Sequence, residues 1–131
     1  MIQQQLTLIT STRPSATRDF HRARRQAALE QIVANLRGRS VDLLCYEEVA
    51  RKLRVVATTA CSVRPIPLDS IVGSVGRYSD FSRTFLPRRD SDAGRWAAVK
   101  SAAHVTRLPP IEVYQIGEAY FVLDGNHRVS I

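Results

Sequence analysis

The chain has 131 residues, 44% of them hydrophobic and 24% charged, with a formal net charge of +7. These values fit a soluble globular chain of single-domain length and exclude collagen-like, extensively disordered and disulfide-scaffold proteins. Cys45, Cys61, His21, His104 and His127 lack the spacing of a structural zinc site, and no secretory signal or apolar run of membrane length is present. The expectation is a cytoplasmic protein, with no membrane partner, whose two thiols stay reduced and serve packing.

The bases are almost all arginine, and the excess lies at +5 in residues 1–40 and +4 in residues 64–110, while residues 111–131 carry −2. Arginine forks suit phosphate oxygens, although a GC-rich genome gives the same bias. In chain order, residues 1–16 hold Leu6 and Leu8 and then the Ser/Thr/Pro-rich "TSTRPSATR", which has no helical period and reads as a flexible N-terminus. From Asp19 to Arg37, Phe20, Ala23, Ala27, Leu29, Ile32, Val33 and Leu36 recur at helical spacing, with Gly38 as the stop and Arg18, Arg22 and Arg25 on a basic outer face. A second helix is predicted over Tyr46–Leu53, where acids lead and bases end. It could open a helix-turn-helix, but the turn and second helix are missing from "VATTACSVRP". Residues 17–63 thus form a helical N-terminal segment.

Pro65 and Pro67 mark a boundary, and residues 64–131 form the second unit. It begins with "IPLDSIVGSVGRY", a short strand running into a glycine loop. Tyr78, Phe81 and Phe85 follow near helical spacing, but Gly76 and Pro87 limit that stretch to little more than two turns. The two glycines of the loop with Ser74 between them can form an anion-binding concavity of backbone N–H groups, or only a surface turn. Tyr78 and Phe81 suit either base stacking or the core. A third helix is predicted over Asp92–Ala103, capped by Ser91 or Asp92, with Trp96, Val99 and Ala103 on its inner face. "PPIEVYQI", "GE" and "AYFVLDG" then read as a hairpin with a type II′ turn.

The chain closes on "DGNHRVSI", which reads as strand end, tight turn and helix start. Backbone N–H groups at Asn126, His127 and Arg128 lack helical partners and favour an anion. Gly125 allows close approach, Arg128 can fork two oxygens, and His127 can donate to a third. The alternative is structural, with Asp124 as a cap, Gly125 serving a positive φ, and His127 and Arg128 solvated.

With "IPLDSIVGS" and "YFVLDGNHRVSI", residues 64–131 resemble the ParB/sulfiredoxin superfamily. The resemblance implies an α+β fold with a small mixed sheet and helices, here preceded by the N-terminal helical segment. The corresponding turn reads Gly-Glu-Arg-Arg in ParB-type proteins, which bind a cytidine nucleotide, and Gly-Cys-His-Arg in sulfiredoxins, which bind ATP. Free-serine kinases of this fold carry Asp-Gly-His-His-Arg. By position, Gly125, His127 and Arg128 are then phosphate ligands, joined by Asn126 in the turn, with Gly73, Ser74, Gly76 and Arg77 as the second wall. Asn126 stands where sulfiredoxins have their catalytic cysteine, which argues against sulfinic acid reduction, and His127 replaces an arginine of the ParB signature, which removes the basis for cytidine preference.

The function expected from the resemblance is a ParB-like regulatory module binding a nucleoside triphosphate or diphosphate in the micromolar range, acting with DNA in one version. Arg128→Ala is expected to abolish that binding. One alternative is a phosphoryl-transfer or nuclease-type enzyme in which Asp124 or His127 moves a proton and Mg2+ spreads phosphate charge. A second is a basic DNA-binding protein using the N-terminal helix with Arg83, Arg88 and Arg89. Family members continue beyond the phosphate turn with a full helix. The expectation is therefore a fragment, or a homodimer or other partner covering Val129 and Ile131, and a chain lengthened by that helix should bind nucleotide more tightly.

Overall fold

Two β-rich runs separated by Gly117-Glu118 form the hairpin that anchors the fold, with Gly117 at φ +59. The computed structural model describes residues 2–55 and 61–131. Its helices are α1 (Ile2–Arg37), α2 (Tyr46–Lys52), α3 (Ala93–Val105) and α4 (Asn126–Ser130), with 3-10 turns at Leu68–Ser70 and Asp90–Asp92. Its strands are β1 (Leu44–Cys45), β2 (Ile71–Ser74), β3 (Glu112–Ile116) and β4 (Ala119–Asp124). They make one mixed sheet in the order β1-β2-β4-β3, in which β2 runs parallel to β1 and β4, and β3 antiparallel to β4. The expected α+β class with a small mixed sheet is therefore present.

Successive residues of a strand face opposite sides, and β4 uses both. Val122 enters a core with Leu43, Ile71, Phe81 and Phe85, onto which Ile66, Ile111, Val113, Tyr120 and Val129 pack. Phe121 faces the other way, edge-on to Tyr46 of α2 at 5.6 Å. Gly73 lies beside it in β2 because a Cβ there would sit 2.4 Å from Leu44 O and 2.5 Å from Phe121 Cδ1.

α1 ends at Arg37 with Gly38 at φ +64, as expected, and departs from expectation at its start and in its inner face. It begins at Ile2, not Asp19, so residues expected to be a flexible N-terminus are helical. Gln and Leu are good helix formers, and a helix fixed by packing further along extends at little cost. The fixing contact is Phe20, fully buried and edge-on to Trp96 of α3 with ring centroids 5.7 Å apart. The buried stripe is Ala16, Phe20, Ala27 and Ala34, whereas Leu29, Ile32, Val33 and Leu36 are exposed. Small alanines let α1 approach its neighbours closely, and that places the larger apolar side chains on the outer surface.

The N-terminal segment is built into the same sheet and helix layers as the rest, through β1 on β2 and α1 on α3. α1 is also tied to the loop before α3. Arg24 Nε donates to Asp90 Oδ1 at 2.9 Å, and Thr84 Oγ1 donates to Glu30 Oε2 at 3.0 Å. The second helix of a helix-turn-helix would fall after α2. Residues 61–65 contain no helix, and residues 56–60 lie outside the described residues.

The loop over Tyr78–Phe85 forms turns and the isolated bridges Asp42–Ser82 and Phe81–Pro87 in place of a helix, with Phe85 in the left-handed region at φ +59. Burial of the Phe81 and Phe85 rings outweighs local helical spacing. α3 starts one residue later and ends two residues later than predicted, and it buries Trp96, Ala97 and Ser101 while Ala103 is exposed. Asp92 occupies the cap position, but its side chain makes no capping bond. Of the two cysteines, Cys45 donates from Sγ to Glu47 Oε2 at 3.2 Å, while Cys61 is exposed and does not serve packing.

Candidate functional site

β4 delivers the closing motif to one side of α3. Gly125 adopts φ +109, and a Cβ there would lie 2.6 Å from Ile111 Cγ2 and 3.0 Å from Arg128 Nε. Glycine takes this backbone without strain and starts α4 at once. α4 is then fastened to α3 by Trp96 Nε1, which donates to Ser130 Oγ at 2.8 Å, while Val129 joins the core. Ser74 and Asn126 lock the start of α4 onto the sheet. Both are buried, and Ser74 Oγ lies 2.8 Å from Asn126 Oδ1 and 3.2 Å from Val122 O, sharing its single proton between them.

Between α3 and this turn lies a cleft of about 380 Å³, bordered by Arg77, Arg95, Val99, Leu108, Leu123 and residues 124–128. Its volume falls toward the lower end of the ~300–1,000 Å³ usual for small-ligand sites. The lining combines cationic side chains with aliphatic ones, Ala98 and Ala102 among the latter.

His127 forms part of that lining and is 5% exposed, with Phe81 edge-on at 5.2 Å. Neither Nδ1 nor Nε2 has a hydrogen-bond partner. A buried polar group left unsatisfied costs roughly 1–3 kcal/mol, so an imidazole with two such nitrogens weakens the fold locally. Burial lowers its pKa below the ordinary 6.5, the Arg77 and Arg95 charges lower it further, and Asp92 and Asp80 oppose them. The ring is therefore neutral near pH 7, with one donor nitrogen and one acceptor.

The arginines differ in how far they are already engaged. Arg128 donates from Nη1 to Pro109 O and Pro110 O, each at 2.9 Å, and from Nη2 to Asp124. These bonds hold the segment before β3 against α4. Arg77 Nε lies 2.7 Å from Asp80 Oδ2, and its Nη2 lies 3.7 Å from Asp92 Oδ1. Asp80 is buried and shared with Arg89 at 3.3 Å. Arg95 lines the cleft without an ion pair among the described residues.

Of the residues singled out in the sequence, Arg77, Asp124, Gly125, Asn126, His127 and Arg128 meet at this cleft. Ser74 stands behind Asn126, Gly73 is a packing position in β2, and Gly76 forms an exposed turn at φ +87; none of the three is in the lining. The Val75 N–H, within the anticipated anion concavity, donates to Val122 O at 2.8 Å. Phe81 is core, and Tyr78 is exposed outside the cleft lining. Among the described residues, no group of three His, Cys, Asp or Glu side chains is placed to hold a metal ion.

The α3 contribution was missed in the sequence. Arg95, Ala98, Val99 and Ala102 stand at i, i+3, i+4 and i+7, a helical stripe that reads as one face of the predicted third helix. A comparison with protein-family models, curated proteins and solved structures finds no match to this chain.

Proposed function

We propose that the protein is a phosphate-binding module of ParB/sulfiredoxin type, taking the phosphate end of a small ligand in the cleft between α3 and α4. Nucleoside phosphates are the ligand class that the resemblance in the closing segment suggests. The observation that carries this reading is His127, buried at the cleft with both ring nitrogens unpartnered and the arginines 77, 95 and 128 in the same lining. Binding there would give the imidazole N–H an acceptor and offset the local positive charge, and it requires no reaction.

Titration calorimetry with ATP, CTP, GTP, ADP and inorganic phosphate, with and without Mg2+, tests the reading. Heat from at least one of them that disappears in His127→Leu supports it, and no heat from any of them, phosphate at millimolar concentration included, overturns it.

A second reading, a phosphoryl-transfer enzyme, draws on the same imidazole, because a neutral His127 can accept a proton from an attacking hydroxyl. Asp124 is largely exposed and ion-paired to Arg128, so it suits that role less well. Phosphate release from a bound nucleotide that stops in His127→Gln would favour this reading over simple binding.

A further inference from the structure

We infer that the ligand of this cleft is a compact phosphate monoester with a short aliphatic body, and that Arg95 of α3 selects its anionic end together with His127. This rests on the phosphate-binding reading and puts a smaller phosphate ester in place of the nucleoside phosphates. Two of the three arginines at the cleft already have their charge engaged within the protein. Arg128, the arginine of the closing motif, spends Nη1 on the Pro109 and Pro110 carbonyls and Nη2 on Asp124. The charge of Arg77 faces two carboxylates, Asp80 and Asp92. Arg95 has no ion pair among the described residues, lines the same cleft as His127, and is near enough to depress the imidazole's pKa. An uncompensated cation and a buried, unsatisfied imidazole are both answered by one anion with at least two acceptor oxygens.

The rest of the lining decides what the anion is attached to. Val99, Ala102, Leu108 and Leu123 give the cleft an aliphatic part, and among the described residues no Phe, Tyr or Trp is in its lining. Phe81 is fully buried behind the imidazole, so it offers no stacking surface to a base. The Asn126 side chain, the one amide in the lining, has its Oδ1 engaged by Ser74. A nucleobase would therefore find no stacking platform and no free amide oxygen, whereas each methylene buried on the aliphatic lining raises affinity about fourfold.

The test is a calorimetric series on the full chain with inorganic phosphate, methyl phosphate, butyl phosphate, pentanoate, AMP and ATP. Butyl phosphate is expected to bind at least tenfold more tightly than methyl phosphate, and more tightly than pentanoate, AMP or ATP. Arg95→Gln should weaken butyl phosphate at least tenfold with the melting temperature unchanged, because Arg95 is exposed and makes no ion pair. Leu123→Asn should erase the difference between butyl and methyl phosphate. Tighter binding of AMP or ATP than of butyl phosphate overturns this inference and leaves the phosphate-binding reading standing. Unaltered affinity in Arg95→Gln also overturns it. Pentanoate binding as tightly as butyl phosphate overturns the phosphate selectivity, and no binding by any phosphate compound removes both readings together.

Discussion

Gly125 and His127 carry opposite kinds of strain at the turn after β4, one avoided and one retained. At Gly125 the φ of +109 and the nearness of Ile111 leave no room for a side chain. Gly125→Ala is expected to destabilise the chain by about 2 kcal/mol, read as a lower urea midpoint with an unchanged slope. His127 is buried without partners, so His127→Leu should raise stability by about 1 kcal/mol at pH 7 while abolishing ligand binding. The same residue sets a pH dependence. Its pKa is lower in the folded chain than the ordinary 6.5, so as pH falls the unfolded chain takes up the proton first. Stability is then complete above about pH 6.5 and declines below it until the folded-state pKa is passed. Denaturant midpoints measured across this range should fall less in His127→Leu than in the parent chain. The closing motif was legible in the sequence because Gly, His and Arg at this spacing carry their chemistry in their types. Arg95 was not, since its place in the cleft lining depends on how α3 packs beside the turn after β4.

At the scale of elements, the hairpin and α2 follow directly from local sequence, because β-rich runs around Gly117 and the charge order of "YEEVARK" need no distant partner. The loop over Tyr78–Phe85 and the inner face of α1 do not, because distant packing decides them. Phe81 and Phe85 go to the sheet core, and α1 turns its alanines and Phe20 inward. That orientation predicts an inversion of the usual size rule. Phe20→Ala should cost about 3–5 kcal/mol, since it empties the contact with Trp96. Leu36→Lys should change stability by less than about 0.5 kcal/mol, since Leu36 is 84% exposed. Thermal melts of the two variants check both statements, and equal losses would place Leu36 in a buried contact.

Across the whole molecule, charge and cleft point to an anionic ligand at two scales. The net charge is +7, and Arg18, Arg22 and Arg25 lie exposed along α1. If that face also meets DNA, its binding must weaken steeply as salt rises, whereas a phosphate held at the buried His127 should depend on salt far less. Among the described residues no helix is long and apolar enough to cross a membrane. The central claim, that a phosphate group docks against His127, is tested most directly by proton NMR of the three histidine rings. His127→Leu assigns the signal, and its titration is followed with and without inorganic phosphate. A dianion beside the ring favours the imidazolium, so phosphate is expected to raise the His127 pKa. A His127 titration curve that phosphate does not move would contradict it.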